Sequence, residues 1–155
     1  MVREAECYKS PFGKVHIAIS QRIPVLAVVS SNGYYYVDSD RRVMPIRGEV
    51  DKNLPMLKGA VTERAAMTEY FDFVSWLRDD KYWKERIRAI HVKTSKYIVL
   101  TQEGSDAKII LGELEDYEDK LAKLRQLYTK GFDQIGYPEY REYDLRFDNQ
   151  VVGRK

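Results

Sequence analysis

The sequence predicts an α+β domain in which two main helices pack on one face of a mostly antiparallel sheet. Three observations lead to this prediction. Short segments that alternate apolar and polar residues, or that are rich in β-branched and aromatic residues, are typical of strands. Two longer segments place apolar residues at helical spacing. Along the chain the order is strands, helix, strands, helix, strand, which is typical of an α+β protein.

The first predicted strand covers residues 15–19, whose odd-numbered residues are apolar and share one face. It follows a Pro-Phe-Gly turn and is predicted to be a half-buried strand of a hairpin. Pro24 interrupts the pattern because it cannot donate a backbone hydrogen bond. A new apolar strand starts at Val25, so a boundary between two structural units is predicted near residue 24.

A hairpin is predicted next. Asn32-Gly33 is a turn pair, the tyrosine-rich segment 34–37 favours a strand, and residues 43–45 are predicted to be its short return. From Gly48 to Gly59 the sequence is rich in turn residues and has few apolar ones. This part is predicted to be a connection without a regular element.

Helical spacing marks two segments. The apolar residues of the first are Met67, Tyr70, Phe71, Val74 and Leu77, and those of the second are Tyr117, Leu121, Leu124 and Tyr128. Thr62 is the predicted N-cap of the first helix. Gly131 is predicted to end the second helix as a left-handed cap.

Three strands are predicted between the helices, at residues 87–92, 97–101 and 108–111, and short polar turns separate them. They are predicted to form an antiparallel meander. Residues 140–147 and 150–152 are predicted to be terminal strand material.

Composition excludes several classes of protein. The chain has 155 residues, of which 44% are hydrophobic, and 26 Lys and Arg residues stand against 24 Asp and Glu residues. A net charge of +2 provides no electrostatic footprint for nucleic acid. The single cysteine, Cys7, permits neither an internal disulfide nor a cysteine-based zinc site. No stretch approaches the ~20 apolar residues of a membrane-spanning helix.

The sequence contains no recognisable catalytic constellation. His16 and His91 lie on predicted strands, and phosphate-binding glycine loops and the Gly-x-Ser-x-Gly motif are absent. The acidic pairs Asp38 with Asp40 and Glu115 with Asp116 lie at turns and helix starts, where carboxylates cap backbone amides. We therefore predict no catalytic residue, no metal site and no cofactor.

The last segment, residues 140–152, favours a strand and has no later element to cover it. An open edge with aromatic and apolar side chains can accept a strand from a partner by β-augmentation. A buried or charge-protected last strand is the alternative, and the residues alone leave the two open.

Several short motifs, taken in order, resemble the FtsQ family of bacterial cell-division proteins, in particular members from the Bacteroidetes. The motifs are Gln21-Arg22-Ile23-Pro24-Val25, Tyr36-Val37-Asp38, Leu54-Pro55 with Leu57-Lys58-Gly59, Leu111-Gly112 ahead of Lys120-Leu121, and Asp144-Leu145-Arg146-Phe147 with Asn149-Gln150-Val151-Val152.

This resemblance implies the domain organisation and the location. Residues 1–24 would be the C-terminal hairpin of a truncated POTRA domain, and residues 25–155 would be the curved β domain of the family. The chain would be a fragment of the periplasmic part, anchored to the inner membrane at the division septum through an N-terminal helix that this chain lacks.

The resemblance also implies the function. Members of the family are non-enzymatic scaffolds of the divisome that bind FtsB and FtsL and so help to regulate septal peptidoglycan synthesis. Carried across position by position, the partner-binding residues would be Arg146, Phe147, Asp148, Asn149, Gln150, Val151 and Val152, with Phe147 as the main anchor. The alternatives are a POTRA-type chaperone or secretion-assembly module that uses the edge of the first hairpin, and an uncharacterised α+β enzyme.

Overall fold

The computed structural model describes every residue from Met1 to Lys155 and contains two sheets. The first sheet is an antiparallel pair, β1 (Val2–Lys9) and β2 (Val15–Gln21). The strands of the second sheet are β3 (Pro24–Ser30), β4 (Gly33–Asp38), β5 (Val43–Pro45), β6 (Met56–Gly59), β7 (Ile87–Thr94), β8 (Tyr97–Gln102), β9 (Ser105–Gly112), β10 (Glu142–Asp144) and β11 (Val152–Arg154).

Four helices accompany the strands: α1 (Glu63–Met67), α2 (Glu69–Asp79), α3 (Tyr117–Gln126) and α4 (Asp133–Ile135). A π-helical segment, Leu127–Phe132, joins α3 to α4. None of these helices has both the length and the apolar character needed to cross a bilayer.

The strand order of the large sheet is β11-β10-β9-β8-β7-β6-β3-β4-β5. Three neighbouring pairs are parallel, namely β3 with β6, β6 with β7 and β9 with β10, and the other five are antiparallel. The predicted α+β class with a mostly antiparallel sheet is therefore confirmed, as are the hairpin of β3, β4 and β5 and the meander of β7, β8 and β9.

The topology explains why both helical segments lie on the same side. One crossover runs from β6 through α1 and α2 to β7, and the other runs from β9 through α3 to β10. Both start from strands of the same direction and step toward the same edge of the sheet. Because parallel crossovers are right-handed, both place their helices on one face.

The core lies between this face and the helices. Alternate strand residues such as Leu57, Ile90 and Leu100 are essentially inaccessible, as are Phe73 and Val74 of α2. Each buried aliphatic or aromatic side chain contributes about 1.5–3 kcal/mol relative to an exposed one. The opposite face carries no helix.

Strand β6 was not predicted from the sequence. Its four residues pair in parallel with β3 and β7 near the centre of the sheet, and Leu57 is completely buried. The turn-rich composition of residues 48–59 does not indicate a strand. Gly59 has φ +107, and a Cβ there would overlap the Val92 carbonyl oxygen, so the backbone of β7 occupies the space of a side chain.

The predicted first helix consists of two helices that meet at Thr68, whose φ of −117° and ψ of −98° are not helical. Thr62 caps α1 as predicted, because its hydroxyl accepts a hydrogen bond from the Ala65 N–H at 3.2 Å. The predicted cap at Gly131 is wrong. Gly131 lies inside the π-helical segment, and Gly136, with φ 93°, follows the last helical turn.

The strand predicted at residues 15–19 is present in β2, but the prediction of a half-buried face is wrong. Val15, Ile17 and Ile19 are each 60–65% exposed because nothing packs on the hairpin. Polar contacts join the hairpin to the large sheet: Arg3 pairs with Asp40 at 2.6 Å, and Arg22 reaches β4 and β5.

The two outer strands of the large sheet differ. Strand β5 is short and ends with Pro45, which has no N–H, and the carbonyl of Val43 accepts a hydrogen bond from Arg22 at 3.1 Å. This edge is therefore poorly suited to pair with another strand. The opposite outer strand is β11.

We expect Gly59→Ala to destabilise the fold by roughly 3 kcal/mol or more, because the left-handed backbone and the collision with Val92 add. Gly104→Ala is the matched control, since Gly104 also has a positive φ, +67, but open space around it. Its expected cost is about 1–2 kcal/mol. Urea unfolding of both variants measures the difference, and equal losses would contradict the close approach.

Candidate partner-binding edge

Asp144 ends β10 and is one of only two buried charged residues in the chain. Its carboxylate accepts two hydrogen bonds from the Arg146 side chain, Nε to Oδ1 at 2.9 Å and Nη2 to Oδ2 at 2.6 Å. The Arg146 backbone N–H donates a third, at 3.1 Å. Arg154 of β11 adds an ion pair, Nη2 to Oδ2 at 3.1 Å. The carboxylate therefore joins β10, the following turn and β11.

Hydrogen bonds decide the ionisation of this carboxyl group. The Arg146 side chain lowers the pKa of Asp144, burial raises it, and the Arg146 N–H with both guanidinium charges lowers it further. The net effect is a pKa below the ordinary value for aspartate. Asp144 is therefore charged at neutral pH and acts as a fixed acceptor.

Two residues from neighbouring strands hold Arg146. Its guanidinium lies over the ring of Tyr97, 5.3 Å from the centroid, at the start of β8. Gly112, at the end of β9, has φ +79, and a Cβ there would lie 2.7 Å from Arg146 Cγ. The Leu-Gly and Asp-Leu-Arg motifs of the sequence are thus parts of a single contact.

The predicted strand 140–147 is present only as Glu142–Asp144, and that part of the prediction is wrong. Of the predicted partner-binding residues, Arg146, Phe147, Asp148, Asn149 and Gln150 are exposed in the turn that follows β10, whereas Val151 is half-buried and Val152 begins β11. Asn149 has a φ of 61°, which reverses the chain. The residues form a turn and an outer strand instead of one continuous strand.

Hydrogen bonds to β9 establish which backbone groups of β11 are free. The Lys108 N–H donates to the Arg141 carbonyl and the Leu145 N–H donates to the Ile110 carbonyl, both at 2.9 Å. The intervening residues Glu142 and Asp144 therefore point their backbone groups toward β11. Their partners in β11 are Arg154 and Val152.

By the same alternation, Gly153 directs its N–H and carbonyl away from the sheet. The neighbouring N–H of Val151 makes no hydrogen bond within the chain. The outer side of β11 is therefore an open edge with unpaired backbone groups.

Gly153 is a feature that the sequence prediction missed. A Cβ at this position would lie 2.7 Å from the Tyr140 ring, so the ring covers the glycine on the helix side of the sheet. Tyr140 in turn packs edge-to-face on Tyr143, with centroids 5.9 Å apart. A glycine one residue before Arg154 in a strand-forming tail is the only signal that could have indicated this contact.

The helix-free face carries a basic cluster near the middle of the sheet. Lys58, Lys93 and Lys108 surround His91 and take part in no ion pair. Burial lowers the pKa of His91, and these three positive charges lower it further. Because alternate residues of neighbouring strands share a face, this patch follows from strand register, which the net charge of the chain does not reveal.

The other polar residues that the sequence analysis considered for catalysis or metal binding make contacts that stabilise the fold. Asp38, the second buried charge, accepts hydrogen bonds from the Asp40 and Arg42 N–H groups, both at 2.9 Å, and from Arg22. This confirms the predicted backbone capping for Asp38, whereas the prediction is wrong for Asp116, whose side chain makes no capping hydrogen bond at the start of α3. His16 stacks on Tyr8 with centroids 5.0 Å apart. No three His, Cys, Asp or Glu side chains lie close enough together to hold a metal ion.

Comparison with known proteins places this edge in a family. Residues 23–154 match the family described as FtsQ/DivIB, C-terminal related. Among solved structures, the chain is similar to the major extracytoplasmic domain of the trans isomer of the bacterial cell division protein DivIB from Geobacillus stearothermophilus. That similarity covers 72% of this chain and 96% of the other, with 13% identity and a TM-score of 0.48. A search of curated proteins gave no match.

The lowered pKa of Asp144 predicts acid sensitivity. Its contribution to stability is complete above the ordinary aspartate pKa of about 3.9 and is lost as the pH falls through the lower folded value. Asp144→Asn should cost about 2 kcal/mol at pH 7 and should flatten the decline of stability below pH ~4. Urea unfolding between pH 7 and pH 3 measures both effects.

Asp148→Asn is the control for this experiment, since Asp148 lies in the same turn, is exposed and has no ion pair. We expect its stability and pH profile to equal those of the wild type. If both variants behaved alike, the Asp144 contacts would not stabilise the edge.

Proposed function

Because this chain belongs to the FtsQ/DivIB, C-terminal related family of bacterial cell division, we propose that it is a non-enzymatic divisome scaffold that binds FtsB and FtsL by strand addition at β11. Through these partners it would help to regulate septal peptidoglycan synthesis. The proposal places the domain on the periplasmic side of the inner membrane, at the septum.

The observation that carries the proposal is the open edge of β11. Its outward backbone groups are those of Val151, which the family resemblance assigns to partner binding, and of Gly153, which lies just beyond the assigned residues. The opposite outer strand of the sheet is blocked by Pro45 and Arg22. A strand that pairs with β11 would extend the nine-stranded sheet without disturbing the core.

Backbone hydrogen bonds along such an edge contribute only about 1 kcal/mol each, so a side chain must supply much of the affinity. Phe147 is the large apolar residue of the turn and is 41% exposed. An aromatic ring that is free before binding and desolvated on binding is typical of an interface anchor. We therefore assign this role to Phe147.

Arg146 and Arg154 contribute differently. Both are already engaged with the Asp144 carboxylate, so their main role is to fix the turn and β11 in place before the partner arrives. A preformed edge saves the entropy of ordering a flexible tail during binding. Asp148, Asn149 and Gln150 are exposed between the anchor and the strand, where they would form the polar rim of the interface.

The small sheet of β1 and β2 belongs to a different domain in this proposal. Residues 1–24 would be the C-terminal hairpin of a POTRA domain, and residues 25–155 would be the β domain. In its register Ala5 pairs with Ile19 and Cys7 with Ile17, so one face of the hairpin is apolar, as in a sheet that packs against a helix layer. The alternative function, a POTRA-type assembly module, would use the free edge of this hairpin instead of β11.

Isothermal titration calorimetry with the periplasmic segments of FtsB and FtsL from the same bacterium tests the proposal. Saturable binding that depends on β11 supports it. Binding that depends on the hairpin edge supports the alternative, and absence of binding contradicts strand addition by this chain.

We expect Phe147→Glu to abolish measurable binding while the protein stays folded, because the charged side chain cannot be desolvated in the interface. Phe12→Glu is the matched control, as Phe12 is 91% exposed at the hairpin tip. Circular dichroism checks the fold of both variants. Unchanged affinity of Phe147→Glu would rule out the anchor.

We expect Val151→Pro to weaken binding by about tenfold, because proline removes the free N–H that a partner strand would use. Val151→Ala keeps that N–H and serves as the control for the loss of the side chain. Equal affinities of the two variants in the same titration would show that the partner does not pair with this edge.

A further inference from the structure

A cavity lies on the helix side of the sheet, away from the outer side of β11 and from Phe147. It has a volume of about 530 Å³ and lies between the β8–β9 turn, the π-helical segment and the loop before β10. Its size falls in the range of small-molecule sites. The family resemblance assigns no role to the residues that line it.

Tyrosine rings dominate one wall of this cavity. Tyr128 is central, with ring centroids 5.6 Å from Tyr137 and 5.4 Å from Tyr143, and Tyr140 continues the cluster beyond Tyr143. The π-helical segment carries this wall: Tyr128 and Phe132, four residues apart, lie with their centroids 6.0 Å from each other, and both rings pack on Tyr143 of β10. Tyr137 is the outermost ring and is 52% exposed.

Polar side chains with planar end groups line the rest of the cavity. The Arg86 guanidinium stacks on Tyr82, 4.3 Å from the ring centroid, and this side chain donates no hydrogen bond within the chain. Asp133 accepts a hydrogen bond from the Tyr137 hydroxyl at Oδ1, 2.5 Å away, which leaves Oδ2 free. Gln102 accepts one from the Tyr128 hydroxyl at 3.3 Å. Donors and acceptors thus converge on an aromatic surface.

The charges of the lining do not favour an anionic ligand. Arg86 is balanced by the Asp133 carboxylate, and Glu103 is already paired with Arg88, so a phosphate or polyanion would meet no net positive charge. A purely apolar ligand would leave these polar groups without partners, which is costly. A neutral ligand with many hydroxyl groups and a flat apolar face satisfies both conditions.

We propose that this cavity binds a neutral saccharide, with one pyranose ring stacked on Tyr137 and its hydroxyl groups hydrogen-bonded to Arg86 and Asp133. The C–H bonds of one face of a pyranose form an apolar surface that packs against aromatic rings, while the ring hydroxyls lie at its rim and require planar donors and acceptors. The cavity supplies both in adjacent positions.

The test uses the full chain and two soluble probes, chitotetraose and maltotetraose, in nitrogen-15 and aromatic carbon-13 NMR titrations. We expect saturable shifts of the Tyr137, Tyr140 and Gly104 signals with at least one probe. Preference for chitotetraose identifies an acetamido sugar, and preference for maltotetraose identifies a plain hexose. Absence of saturable shifts with either probe overturns the proposal.

Two variants locate the site. Tyr137→Ala should weaken the titrated affinity about tenfold through loss of the stacking surface, and Asp133→Asn should weaken it less. Tyr34→Ala is the matched control, because Tyr34 is 67% exposed on β4, away from the cavity. Phe147→Glu should also leave saccharide affinity unchanged, which separates this proposal from partner docking. Equal loss in Tyr137→Ala and Tyr34→Ala would contradict the assignment.

Discussion

Arginine clamps on two buried carboxylates hold the ends of this sheet. A carboxylate in a low-dielectric site is tolerated only when it is paired and hydrogen-bonded, and Asp38 and Asp144 both meet that condition. Asp38 joins the chain between the two sheets to β4, and Asp144 joins β10 to β11. The hydrophobic core stabilises the middle of the sheet, whereas these two clamps determine where its last strands lie.

The clamps act together with glycines that admit close contacts. Gly112 leaves room for the Arg146 side chain, and Gly153 leaves room for the ring of Tyr140. In both cases the absent side chain is replaced by a larger group from another element, which orders the turn and the outer strand. Short strands of three residues, such as β10 and β11, gain their definition from such contacts more than from their own hydrogen bonds.

Local signals were sufficient for much of the fold. Alternation and turn residues located the hairpin and the meander, and helical spacing located α2 and α3. Strand β6 was not predictable from local signals, because it is stabilised by parallel pairing with two strands that are distant in sequence. Leu57 is a single buried residue and gives no periodicity. At the edge, the motif around Arg146 was visible, but the contact between Asp144 and Arg154 depends on a reversal at Asn149 that strand propensity does not encode.

The two outer strands of the large sheet differ in their ability to pair with another strand. Strand β5 ends in a proline and has its Val43 carbonyl already occupied, while β11 has free backbone groups. The sheet can therefore grow in one direction only. Because β5 is poorly suited to accept a strand, the head-to-tail pairing of β11 with β5 that would continue from copy to copy into a fibre is disfavoured.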